Sequence, residues 1–362
     1  MNSETAHRLP ARTGVLIINL GTPAEPTAAA IRRYLRQFLS DRRVVELWRP
    51  LWLLILYAFI LPFRPSKLVH AYQKVWGERG SPLMAISREQ ETAMRDALGP
   101  DVDVALAMTY GEPSVNAALA QLESAGVRRV LVLPLYPQYS GTTTAAAMDA
   151  LFDALRTRRW MPEIRSIGSY HDDPAYLAAL ARSIEAHATA QGRSDHLLLS
   201  FHSIPRRYLE QGDPYYCQCQ KTARLLAEQL RLEPGQWSIS FQSRLGRQPW
   251  LMPYTDLVVG QLAQRGVKTL DVVCPGFSSD CLETLEEVAI RYAEDFVAAG
   301  GRQLRYIPAL NADADHIAAL AALCRRHLLG WGAPESASEL AARPARVEAA
   351  RACVHESLLK DR

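Results

Sequence analysis

The chain lacks the short signatures of several common classes. No Gly-x-Gly-x-x-Gly follows its first apolar run. Gly14-Val-Leu-Ile-Ile-Asn-Leu20 leads instead into Gly21-Thr-Pro-Ala-Glu-Pro, whose prolines remove backbone donors that a pyrophosphate would need. No Walker loop occurs elsewhere, so no nucleotide partner is expected. A formal charge of +3 over 362 residues, with no Lys/Arg block interleaved with aromatics, argues against nucleic acid. The opening Met-Asn-Ser-Glu-Thr-Ala-His has neither the basic nor the apolar region of a signal peptide, and a reducing cytoplasm is the expected location. The cysteines (Cys217, Cys219, Cys274, Cys281, Cys324 and Cys353) lack the paired C-x₂₋₄-C spacing of closed zinc sites. In that compartment they read as small apolar packing groups or free thiols rather than a disulfide frame.

What is present is a globular composition, 48% hydrophobic and 22% charged, with length enough for two domains. One uncharged run stands out, Leu51-Trp-Leu-Leu-Ile-Leu-Tyr-Ala-Phe-Ile-Leu-Pro-Phe63, bracketed by Arg49-Pro50 and Arg64-Pro65. As a helix ending at those prolines it spans roughly 20 Å, short of the ~30 Å of a bilayer core. It reads either as a buried core helix or as an apolar lip. The second reading draws on the flanking Arg42, Arg43, Arg49, Arg64 and Lys67 and on Trp48, Trp52 and Tyr57, which suit a membrane interface or a greasy ligand.

Apolar β runs alternate with amphipathic helical runs. Strands are predicted at 14–20, 102–109, 129–134, 196–201, 237–242, 270–274 and 304–308, with helices between them, which implies parallel sheets covered on both faces. Gly126-Val-Arg-Arg-Val-Leu-Val-Leu-Pro and Gly266-Val-Lys-Thr-Leu-Asp-Val-Val-Cys-Pro repeat one pattern, and on that register Ser140 falls opposite Asp280. The fold class is therefore α/β, with two doubly wound, Rossmann-like domains facing a cleft. Residues 1–170 form the first and include the apolar segment at 47–67. Residues 171–330 form the second, and 331–362 a helical or loosely ordered tail. In such sheets ligands bind beyond the carboxyl ends of the strands.

Two candidates occupy those ends. His202 closes Leu197-Leu-Leu-Ser-Phe-His202 and is either a base, a metal ligand or a hydrogen-bonded structural histidine. The stretch Cys274-Pro-Gly-Phe-Ser-Ser-Asp-Cys-Leu-Glu-Thr-Leu-Glu-Glu287 follows the strand at 270–274. Read as an α-helix, it puts Asp280, Glu283 and Glu287 in one acidic stripe, with Glu286 pointing elsewhere. Asp280 and Glu283 also fit a capping box, so a solvated, capped helix is the competing reading.

The chain resembles the ferrochelatases, which insert ferrous iron into protoporphyrin IX to form haem. The landmarks run from Gly14 to Leu328. They are Asn19-Leu-Gly-Thr-Pro23, Gly80-Ser-Pro82, Leu135-Tyr-Pro-Gln-Tyr-Ser140, Phe201-His-Ser-Ile-Pro205, Gly212-Asp-Pro-Tyr215, Phe241-Gln-Ser-Arg244, Pro249-Trp250, Gly276-Phe-Ser-Ser-Asp280 and Glu283-Thr-Leu-Glu286. The resemblance implies that His202 and Glu283 are catalytic, facing each other across the porphyrin and meeting the metal, with Asp280 and Glu287 continuing a metal-contacting row. It implies substrate contacts from Tyr136, Tyr139, Ser140, Trp250 and Phe277, and a hydrophobic lip at 47–67 with Leu53 and Leu54. The expected partners are protoporphyrin IX, Fe²⁺ and, peripherally, the inner membrane. Position 281 is Cys where some relatives have histidine, so no proton-transfer role is assigned to it. The tail offers only Cys353, so no iron–sulfur cluster is expected, nor any cofactor beyond the substrate iron. A chelatase for coproporphyrin or another metal, and a non-catalytic porphyrin carrier, are the alternatives.

Overall fold

The computed structural model describes residues 12–331 apart from position 247, with a few helical positions between 338 and 348. The expected tail and Cys353 lie almost wholly outside the described residues.

Eight parallel strands form two four-stranded sheets. In the first, β1 (Arg12–Asn19), β2 (Val102–Met108), β3 (Val127–Pro134) and β4 (Glu163–Ser166) lie in the order β2-β1-β3-β4. In the second, β5 (His196–His202), β6 (Trp237–Gln242), β7 (Thr269–Val273) and β8 (Gln303–Ile307) repeat it as β6-β5-β7-β8. The duplication read from the two Gly-Val motifs is thus a duplication of topology. In each half the third strand follows a glycine of positive φ, Gly126 at 85° and Gly266 at 96°. In each half it leads into a helix that begins with wide π turns, Gly141–Ala145 and Glu283–Tyr292. Only β4 escaped the sequence reading. Its Glu-Ile-Arg-Ser is a short, half-exposed edge without an apolar run.

Alternation along the strands builds the core. On β1, Val15 and Ile17 face one cluster while Leu16 and Ile18 face another. The Val15 cluster continues without interruption into Leu197, Leu199 and Phe201 of β5, so the two halves share a core. The helix Ala314–Leu328 returns to pack on Pro82–Leu98 and β3 of the first half. A boundary near residue 170 therefore separates the sheets but not their packing.

The apolar segment differs from expectation in length. Its helix runs Arg49–Val75, 27 residues, and is the one described helix long and apolar enough to cross a membrane by length and composition. Pro65, which brackets the apolar run, does not end the helix. Leu56–Ile60 widens into π turns. Pro65 cannot donate to the carbonyl of Leu61 four residues back, and Arg32 Nε from the adjacent helix Ala28–Ser40 donates to that carbonyl instead, at 3.0 Å. One face of the long helix (Trp52, Leu56, Leu61, Tyr72) packs with Ile31, Tyr34 and Leu35. The other is bare, with Trp48 73% exposed and Phe59 and Phe63 each 63%. The core-helix reading is corrected accordingly.

Gly21 fixes how β1 delivers its last residues to the cleft. Its φ is +108°, and a Cβ there would lie 1.8 Å from the carbonyl oxygen of Tyr110. Backbone strain and overlap act together, so Gly21→Ala is expected to destabilise the fold by roughly 2–4 kcal/mol. A thermal melt that leaves the midpoint unchanged would contradict this placement.

Candidate active site

β5 and β7 are neighbours at the point where the strand order of the second sheet reverses. Pairing between them ends at Leu199 and Val273, while Ser200, Phe201 and His202 continue beside β6 alone. His202 therefore projects at the carboxyl edge, half-buried, next to the loop that leaves β7. Its Nδ1 lies 2.6 Å from the carbonyl oxygen of Ser203. A carbonyl can only accept, so the neutral ring carries its proton on Nδ1 and keeps the lone pair on Nε2. The Phe277 ring, half-buried in the β7 loop, stands 6.5 Å from the imidazole, centroid to centroid.

Glu283 opens the π turns after β7, also half-buried. The buried amide of Gln242, paired in register with His202, joins the two supports. Its Nε2 donates to the backbone carbonyl of Glu283 at 2.9 Å, and its Oε1 accepts from the Ser200 hydroxyl at 2.6 Å. Glu283 lies toward the first half. Burial, reinforced by this carboxylate, holds the phenols of Tyr34 and Tyr72 well above their usual range, with Tyr72 adding to the effect at Tyr34. Leu282 packs into the cluster beneath the exposed helix. The catalytic pair of the sequence reading thus sits on adjacent supports at one edge, between the halves.

The acidic stripe is not continuous. Asp280 precedes the helix and is 5% exposed. Its carboxylate accepts from Thr284 Oγ1 at 2.9 Å, Tyr306 Oη at 2.6 Å, Asn311 Nδ2 at 2.8 Å and the Ala309 amide at 3.3 Å. It is an anchor for its loop. The capping box does not form either, because the Asp280 amide donates to Asn311 Oδ1 at 2.8 Å rather than to Glu283. Glu287 is buried among Ser243 and Tyr292. Glu286 pairs with Lys74 of the exposed helix at 3.8 Å and with Arg291 at 3.3 Å. Among the described residues, no group of three or more His, Cys, Asp or Glu is arranged to hold a metal ion.

Other candidates divide. Tyr136 follows β3, with its hydroxyl buried and burial pushing its pKa above the ordinary range. Tyr139 is half-buried, its amide held by Gln218 at 2.7 Å. Ser140 is buried, donating to Asp213 at 2.9 Å and capping the π turns after β3. Trp250 donates through Nε1 to Leu245 and bridges Pro205, close in sequence to His202. Leu53 is half-buried against the cluster, and Leu54 points outward. Cys219, Cys274, Cys281 and Cys324 are buried free thiols whose acidity burial weakens, Cys324 to about 12. Protonated and enclosed, they pack rather than ligate. Cys217 is exposed.

The sequence reading missed the amides. Gln90 of the helix Pro82–Leu98 donates to the carbonyls of Ser278 and Asn311, each at 3.0 Å, and accepts from the Ser279 hydroxyl at 2.9 Å. It ties the Asp280 loop to the first half. Asn19, at the end of β1, reaches Ser279 at 3.4 Å and Ser87 at 3.1 Å. Asn19 and Gln242 lie inside motifs quoted above, whereas Gln90 carries no signal in sequence.

The ferrochelatase family model matches residues 12–328. The chain is 52% identical to a ferrochelatase of Nitrosococcus oceani over 332 residues, 91% of this chain and 90% of that one. It is 51% identical to that of Aeromonas hydrophila, covering 88% and 99%. In fold it is similar to the sirohydrochlorin chelatase SirB of Bacillus subtilis subspecies spizizenii in complex with cobalt. That match has a TM-score of 0.51 at 10% identity and covers 88% and 94% of the two chains.

His316 supports the same seam. It is wholly buried and donates from Nδ1 to the Asn311 carbonyl at 2.7 Å, and burial lowers its pKa from 6.5 to about 4. Between those values the unfolded chain binds a proton that the folded chain refuses, so stability must fall as pH falls from 6.5 toward 4. His316→Gln keeps a donor and removes the titration. Urea midpoints are expected to fall less steeply with acid in the variant, by on the order of 3 kcal/mol across the window. Parallel curves would refute the assignment.

Proposed function

The chain belongs to the ferrochelatase family, and we propose that it inserts Fe²⁺ into protoporphyrin IX in the cleft above β5 and β7. The observation that carries the reading is the tautomer of His202. Its Nδ1–H is held by the Ser203 carbonyl, so a basic Nε2 is offered at the edge that also bears Glu283.

The reaction exchanges two pyrrole protons for one Fe²⁺. The imidazole accepts protons through its Nε2 lone pair and passes them to solvent. Glu283 meets the ion from the other side of the ring. Phe277, Trp250, Tyr136 and Tyr139 supply walls that grip the macrocycle, and their binding energy offsets about 1–5 kcal/mol of ring distortion that exposes the nitrogen lone pairs. Loose metal binding is part of the mechanism. A picomolar site would hold the ion by about 16 kcal/mol and oppose its transfer, whereas one imidazole and one carboxylate leave positions open for the ring nitrogens. His202→Ala is expected to abolish insertion while porphyrin fluorescence still reports binding. Normal turnover in that variant, under anaerobic Fe²⁺, would overturn the proposal.

The bare face of Arg49–Val75 supports a second part of the reading, a cytoplasmic protein that touches the inner membrane face reversibly. Leu51, Leu54, Tyr57, Phe59 and Phe63 are exposed, with Arg42 and Arg43 nearby in sequence. The opposite face is committed to protein packing, so the helix lies in the interface rather than across the bilayer. Replacing Leu54, Phe59 and Phe63 by serine is expected to weaken sedimentation with anionic vesicles at least about tenfold without lowering the melting temperature. Undiminished vesicle binding would remove the lip from membrane contact.

A further inference from the structure

Both carboxylate oxygens of Glu287 are taken. Oε1 accepts from the Ser243 amide at 3.0 Å and from the Tyr292 phenol at 2.6 Å, and Oε2 accepts from the Ser243 hydroxyl at 2.5 Å. Arg291 lies 3.9 Å away, and the residue is 7% exposed. The phenol reaches this carboxylate from five residues further on, a spacing that π turns bring into line. Burial and the neighbouring carboxylate keep Tyr292 protonated, as a donor must be.

The residue held in this way is strained. Ser243 has φ +66°, a left-handed conformation that a residue with a side chain adopts at a cost and that persists where its surroundings enforce it. It follows Gln242 directly and opens the segment that returns through Trp250, bridged to Pro205, with Leu245 and Met252 exposed. The turn at Ser243 sets the direction in which this wall leaves the sheet beside His202.

We propose that Glu287 is a positioning residue, clamping Ser243 in its left-handed turn so that residues 243–246 and 248–254 stand as one wall of the porphyrin slot. It is not a stage on the metal's route. A metal ion at Glu287 would have to compete with three protein donors already on its two oxygens. The proposal rests on the metal-insertion reading for its kinetic consequence, but its geometry does not.

Three variants separate a clamp from a metal ligand. Glu287→Gln preserves the clamp: the amide oxygen keeps the Ser243 and Tyr292 bonds, and the amide nitrogen donates to a rotated Ser243 hydroxyl. Its apparent KM for Fe²⁺ is expected to stay within about twofold of wild type. Glu287→Ala removes the clamp, and the KM for porphyrin is expected to rise about tenfold while that for Fe²⁺ holds. Trypsin should also cut faster at Arg244. Glycine takes positive φ without help, so adding Ser243→Gly to Glu287→Ala should recover most of both losses. A tenfold rise in the Fe²⁺ KM of Glu287→Gln overturns the proposal, and so does a double variant that recovers neither porphyrin KM nor resistance to trypsin. If Glu287→Ala does not fold, the Glu287→Gln iron titration decides alone. Cleavage at Arg244 is read without turnover, so a wild-type protein that inserts no metal would sink the functional reading and leave the clamp to the protease.

Discussion

The site depends on one buried amide. Gln242 ends an edge strand, yet its side chain reaches both the neighbouring β5 and the helix after β7. There it binds the Ser200 hydroxyl and the Glu283 carbonyl. His202 ends a strand and Glu283 opens a helix, on stretches of chain eighty-one positions apart. What keeps them in one frame is this carboxamide, which offers a donor and an acceptor in fixed directions. A carboxylate in its place would lose the donor, and a hydrophobe would remove both bonds, leaving the Ser200 hydroxyl to Thr255 alone, at 3.0 Å, at a cost of about 1–3 kcal/mol.

A second polar layer secures the halves to each other. Gln90 and Asn19 come from the first half; Ser278, Ser279 and Asn311 from the second. Asn311 also holds Asp280, the group that stops the loop from drifting before Glu283. The shared apolar core draws the halves together without direction, and the amides give that contact its register. Thiols inside this region are kept protonated by burial. That suits an enzyme whose metal has to leave.

His202 and Glu283 were legible because strand ends are legible: an apolar run that stops at a polar residue announces a carboxyl edge. The eight-strand pattern was readable for the same reason except at β4, where burial is incomplete and the apolar run disappears. What failed was counting turns. Asp280, Glu283 and Glu287 line up at the α-helical period, but the helix starts after Asp280 and runs in π turns. Pro65, which bracketed the expected run, misled in a similar way, because the partner that rescues the orphaned Leu61 carbonyl is Arg32, distant in sequence. Gln90 was invisible altogether, since an amide on a helix states nothing about a hydrogen bond to residues nearly two hundred positions away.

The two ends of the described chain have a geometric consequence. Arg12 begins β1 beside Gly126. Trp331 closes over the start of β4, stacked under Arg165 at 4.3 Å and donating to Glu163 at 2.5 Å, while Arg129 of β3 donates to its carbonyl. Both ends meet at the amino-terminal rim of the first sheet, the rim opposite the one that binds ligand. At Arg12 and Trp331 the chain therefore stands on the side of the sheet away from the carboxyl edge that carries His202 and Glu283.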